Sequence, residues 1–118
     1  METIKSSCLP STVLCLGGRD STNDVLLVVS CGLCSVVLTP TAKNTPNLHN
    51  GAYWYYSPDY SIGFAPNATI AQYSVDNYDQ SNNQRVSWHL TGYDGGYRLG
   101  SLIDLNNNSR YYKVILKR

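Results

Sequence analysis

Glutamate is nearly missing from this sequence: Glu2 is the only one, and charged residues make up 14% of the 118 positions, against about a quarter in an ordinary soluble protein. In the aromatic-rich second half, which has no glutamate, acid–base chemistry would therefore fall on Asp59, Asp76, Asp79, Asp94 or Asp104 and on His49 or His89. No nucleophile elbow, phosphate-binding glycine loop or His-x-x-x-His pair accompanies them. Catalysis is not the expected role, and no catalytic residue, cofactor or metal is assigned.

A surplus of charge of one sign is missing too. Nine Lys and Arg stand against eight acidic residues, for a net charge of +1. That balance supplies no field strong enough to hold a phosphate backbone, so nucleic acid is not an expected partner. The basic cluster Arg110, Lys113, Lys117 and Arg118 reads as a solubilising tail.

Nor is there an apolar run of the ~20 residues that span a bilayer. The most apolar stretch, Val25 to Leu38, is fourteen residues and contains Ser30 and Ser35. Asp20 and Asp24 precede it where a secretory leader would carry positive charge. No transmembrane segment is expected, and the stretch reads as a buried hairpin. The sequons at Asn67 and Asn107 assign no compartment, because a chain this rich in Asn, Ser and Thr yields about two by chance.

What is present is unevenly placed. Ten Tyr, two Trp and one Phe all lie between Tyr53 and Tyr112, whereas the four cysteines lie between Cys8 and Cys34. One domain over 1–118 is expected, with a cysteine-containing apolar segment at 1–44 and an aromatic-rich β core at 45–118. Aromatic side chains are the largest units of buried area, which places the core in the second part.

Short segments between turn signals indicate strands rather than helices. Thr12 to Leu16 reads as a strand closed by Gly17-Gly18, and Val25 to Leu38 as a tight hairpin about Gly32. Pro- and Asn-rich residues 39–50 read as a linker. Beyond it, Ala52 to Tyr56, Tyr60 to Ala65, Thr69 to Val75, Arg85 to Leu90, Tyr97 to Leu105 and Tyr111 to Leu116 read as strands. In Arg85 to Leu90, alternation puts Val86, Trp88 and Leu90 on one face and Arg85, Ser87 and His89 on the other. The predicted fold is all-β, a small antiparallel sandwich or barrel-like domain with an apolar N-terminal hairpin.

Cys31-x-x-Cys34 has the spacing of half a zinc site, but six residues separate Cys8 from Cys15 rather than the usual two to four. No helix is expected after the pair, as thiol–redox chemistry would want. Free buried thiols are the adopted reading, with disulfides, zinc and redox chemistry as alternatives. Asp79-x-Ser81-x-Asn83 imitates the start of a calcium loop, yet Gln84 stands where the sharp-turn glycine belongs, so a polar hairpin loop is expected. The glycines between Gly92 and Gly100 read as local turn positions.

The candidate site is aromatic. Tyr53-Trp54-Tyr55-Tyr56 cannot all point inward from one strand, so one face would be core and the other a contact surface. Flat rings stack on sugars and fill protein interfaces, while Asn and Asp supply directional hydrogen bonds. Tyr53, Trp54, Tyr55, Tyr56, Tyr93, Asp94, Tyr97 and Arg98 are the expected ligand contacts. The resulting expectation is a non-catalytic recognition domain for carbohydrate or a protein surface; the rival is a structural, self-associating β-protein.

Overall fold

The computed structural model describes residues 2–43, 45–68, 84–90, 97–102, 105 and 109–118. Among the described residues two short helices, α1 (Glu2–Ser6) and α2 (Cys34–Val37), accompany eight strands: β1 (Val13–Asp20), β2 (Val25–Leu33), β3 (Asn47–His49), β4 (Ala52–Ser57), β5 (Ser61–Ala65), β6 (Val86–His89), β7 (Tyr97–Leu99) and β8 (Tyr111–Lys117). The fold is all-β and sandwich-like, as predicted. A three-stranded sheet in the order β2-β1-β8 and a five-stranded meander in the order β3-β4-β5-β6-β7 are both antiparallel throughout.

The N-terminal hairpin exists, but its corner lies elsewhere than predicted. Gly17 and Gly18 are inside β1, and β2 runs through Gly32 to Leu33 without turning. The corner is Ser21 to Asp24, where the Thr22 N–H donates to Asp20 Oδ1 at 2.9 Å and the Val25 N–H to Asn23 Oδ1 at 3.3 Å. Short polar side chains that bond the backbone two residues on are what such a corner needs. The expected linker also contains a strand: Asn50 (φ 51°) and Gly51 (φ 80°) make the β3–β4 turn, and paired positive φ values favour Asn-Gly.

The core draws on both parts of the chain. Leu14, Leu16, Cys34, Val37 and Leu38 from the first part pack with Trp54, Tyr56, Ile62, Phe64, Val86, Trp88, Tyr97 and Leu99. Trp88 is 1% exposed and faces inward with Val86, as alternation requires. Strand β8 pairs with β1 along its length, which joins the C-terminus to the cysteine-containing segment.

The cysteines correct the expectation of free thiols. Cys15 and Cys31 sit directly opposite each other on β1 and β2 and are disulfide-bonded. A second disulfide, Cys8 to Cys34, fastens the segment after α1 to the start of α2, with Cα atoms 6.0 Å apart. Zinc and thiol–redox readings of Cys31-x-x-Cys34 fall with the same observation, because its two sulfurs belong to different bridges. Among the described residues no helix is long and apolar enough to cross a membrane.

Candidate functional site

Alternation along β4 divides the aromatic run as its spacing requires: Trp54 and Tyr56 join the core between the sheets, while Tyr53 and Tyr55 share the opposite face with Ala65. Neither face offers the ring surface expected from sequence. Trp54 and Tyr56 are each 1% exposed and Tyr55 is fully buried. The Trp54 ring lies 5.0 Å from Phe64, and its indole N–H donates to the His49 carbonyl at 3.1 Å. Tyr53 is half-buried.

Tyr55 is held by a polar layer. Its hydroxyl hydrogen-bonds the Ser87 hydroxyl, and burial pushes the phenol up to about 12, against smaller opposing effects from Ser87, Arg85 and Arg98. Glycine at position 63 makes room for this ring, since a Cβ there would lie 2.6 Å from the Tyr55 hydroxyl oxygen. Arg85, Ser61, Ser87 and Arg98 are all fully buried, which corrects the reading of Arg98 as a surface contact. The Arg98 Nε donates to the Gly100 carbonyl at 2.7 Å.

Tyr97 is also interior. Its hydroxyl donates to the Tyr111 carbonyl at 2.8 Å, joining one sheet to the other, and the Lys113 ammonium lies 4.8 Å from its ring centre. Tyr93 and Asp94 lie outside the described residues. Of the expected contacts, then, Trp54, Tyr55, Tyr56, Tyr97 and Arg98 are structural in position. No group of three or more His, Cys, Asp or Glu side chains converges among the described residues.

The exposed apolar surface is on the other sheet. Of the ten large hydrophobic side chains exposed among the described residues, eight belong to β2 and β8. Because Leu14 and Leu16 point into the core, Val13, Cys15, Gly17 and Arg19 point outward. Their cross-strand neighbours share that face: Leu33, Cys31, Val29 and Leu26 from β2, and Leu116, Val114 and Tyr112 from β8. Leu26, Val29, Leu33, Tyr112 and Leu116 are each 39–46% exposed. Among the described residues charge on this face stands only at its ends, in Arg19, paired with Asp24 at 3.2 Å, and in Arg118, which lies opposite Val13.

The two edges of this sheet differ. Strand β8 carries Lys113 and Lys117, the kind of charge that blunts an edge. Strand β2 has no charged residue and no proline in nine positions. A cleft of about 470 Å³ runs beside Leu27 to Ser30, with Gly51, Ala52, Phe64, Ala65, Pro66 and Gln84 completing its lining. Sequence reasoning noticed the apolar stretch but assigned it to the interior; a run of apolar residues on consecutive positions, unlike an alternating one, was the signal that both faces are apolar.

No family model, curated protein or solved structure matches this chain.

Proposed function

We propose that this chain is a non-catalytic, disulfide-stapled β-sandwich that associates with a second copy of itself through the outward face of the sheet formed by β2, β1 and β8. The observation that carries this reading is the gathering of exposed Leu26, Val29, Leu33, Tyr112 and Leu116 on one face, with charge only at its ends, in the ion-paired Arg19 and in Arg118. A face whose centre is apolar has little charge pattern by which to select a different protein, whereas two identical apolar sheets are self-complementary about a two-fold axis. Three strands of about eight residues present roughly 400 Å² per copy. That is small beside the roughly 800 Å² per partner of a stable interface, so the dimer is weak and concentration-dependent.

The carbohydrate form of the recognition reading loses most of its support, because the Trp54, Tyr55, Tyr56 and Tyr97 rings are interior. Two disulfides favour an oxidising compartment as the working environment.

Sedimentation velocity over a wide concentration range tests the proposal. The expected result is a monomer–dimer equilibrium that Leu33→Lys with Leu116→Lys shifts to monomer, with thermal melts essentially unchanged. A protein that stays monomeric at the highest concentration, or a double variant that dimerises like the parent, overturns it.

A further inference from the structure

A second site lies on the edge of β2 rather than on its face. The Leu33 N–H donates to His49 Nε2 at 3.0 Å, and the Cys31 carbonyl accepts from Asn50 Nδ2 at 2.6 Å. Both groups therefore point away from β1. Main-chain direction alternates along a strand, so the N–H and C=O of Val29 point the same way. The far side of β1 agrees: Val13 exchanges hydrogen bonds with Arg118 at 2.8 and 2.9 Å. Odd-numbered β1 residues thus bond β8, and even-numbered ones bond even-numbered positions at this end of β2.

Among the described residues this edge is closed at both ends and open between them. His49 and Asn50, on the β3–β4 turn, occupy it at Cys31 and Leu33; a Cβ at Gly32 would come within 2.6 Å of the His49 ring, so glycine there lets the imidazole lie on the strand. At the other end the register shifts between Gly18 and Arg19, leaving Leu27 without an opposite residue. Side-chain caps and bulges are the devices by which edge strands resist indiscriminate pairing. Between the two lies Val29, and the cleft of about 470 Å³ runs along this same segment.

We infer that this cleft is a docking site for a short, neutral, extended peptide segment held by main-chain hydrogen bonds to Val29. A strand-like backbone brings an acceptor and a donor at the spacing of a Val29 N–H and C=O pair, the basis of recognition by strand addition. Among the described residues no charged side chain lines the cleft, so they offer nothing to neutralise a carboxylate or phosphate. Its volume falls within the roughly 300–1,000 Å³ of small-ligand sites. His49 and Asn50 already show the chemistry, with the chain's own polar groups answering the same edge two and four residues further on. The site is independent of the proposed dimer, since it uses the main chain at the edge and not the side chains of the outer face.

The test is a ¹H–¹⁵N NMR titration of the full chain with a neutral capped peptide, acetyl-Ser-Val-Thr-Val-Asn-amide. Saturable shifts centred on Val29, Ser30, Ala52 and Ala65 are expected. Val29→Pro removes the outward donor without removing a β1–β2 hydrogen bond, as proline is tolerated on edge strands, and should weaken binding about tenfold or more, the scale of one or two lost hydrogen bonds. Ser30→Phe, which fills the cleft and keeps the main chain, should do the same if Val29→Pro fails to fold. The double variant Leu33→Lys with Leu116→Lys should bind the peptide like the parent, which separates this site from the dimer face. An unmoved Val29 amide at millimolar peptide, unaltered binding in folded Val29→Pro or Ser30→Phe, or shifts produced by maltotriose and not by peptide would overturn the inference.

Discussion

The guanidinium of Arg110 meets the carboxylate of Asp20 across ninety residues of sequence, with Nη2 at 2.9 Å from Oδ2 and Nε at 3.2 Å from each oxygen. Ser21 completes the join: its N–H and hydroxyl both donate to the Arg110 carbonyl, at 2.8 and 2.7 Å. The hydrogen bond to Arg110 holds the Asp20 carboxyl below its usual range. An acid depressed in the folded state adds stability above its unfolded value, about 3.9, and that stability is lost as the pH falls through the lower folded value. Asp20→Asn should therefore be less stable than the parent at pH 7, and the gap should shrink below about pH 4. Urea midpoints of both proteins at pH 7 and pH 3 check this; a gap that does not narrow refutes it.

Tyr55 sets the alkaline limit. Its phenol is raised to about 12 by burial, so the neutral form is favoured in the folded state. The associated stability is whole below the unfolded value near 10 and is lost between about 10 and 12. Absorbance of tyrosinate should show Tyr55 ionising in a late step that accompanies unfolding. Tyr55→Phe should reduce that late step by one tyrosine and cost about 1–2 kcal/mol by leaving the Ser87 hydroxyl without its buried Tyr55 partner.

Trp54 and Trp88 should behave alike. Each is 1% exposed and lies in the core, so replacement of either by Ala should destabilise by about 3–5 kcal/mol. Denaturant melts decide it; a loss under about 1 kcal/mol for Trp54→Ala would place that ring at the surface instead.

The disulfides make a quantitative claim. Cys15 and Cys31 close a loop with a sequence separation of 16, and Cys8 and Cys34 one of 26. Loop-closure entropy gives about 3 kcal/mol for each, slightly more for the longer loop. Replacing Cys15 and Cys31 together by Ala should lower stability by about that amount. Thiol titration of the unreduced, denatured parent should detect no free cysteine, and four reactive thiols would contradict both bridges.

The reach of the sequence is clearest on β4 and β6. Alternation correctly grouped Val86 with Trp88, and Trp54 with Tyr56, because successive side chains of any strand point to opposite sides. The Asn50-Gly51 turn was missed: few other pairs adopt two positive φ values, but the proline-rich context made residues 39–50 read as a linker. Gly17-Gly18 looked like the same kind of signal and was not. Those glycines sit inside β1, where a Cβ would collide with the Val28 carbonyl or the Leu99 side chain, and contact across a sandwich leaves no local trace.

By itself the sequence determined the fold class and the sharing of faces, since both follow from turn chemistry and a two-residue period that act within a few neighbours. Tertiary structure decided the rest: which face of β4 met the other sheet, that the polar side of β6 was also buried, and which cysteines joined. Cys15 reached Cys31 because the β1–β2 register set them opposite each other. Exposure and cross-linking depend on what another part of the chain brings within a few ångströms, and the period of a single strand carries no information about that.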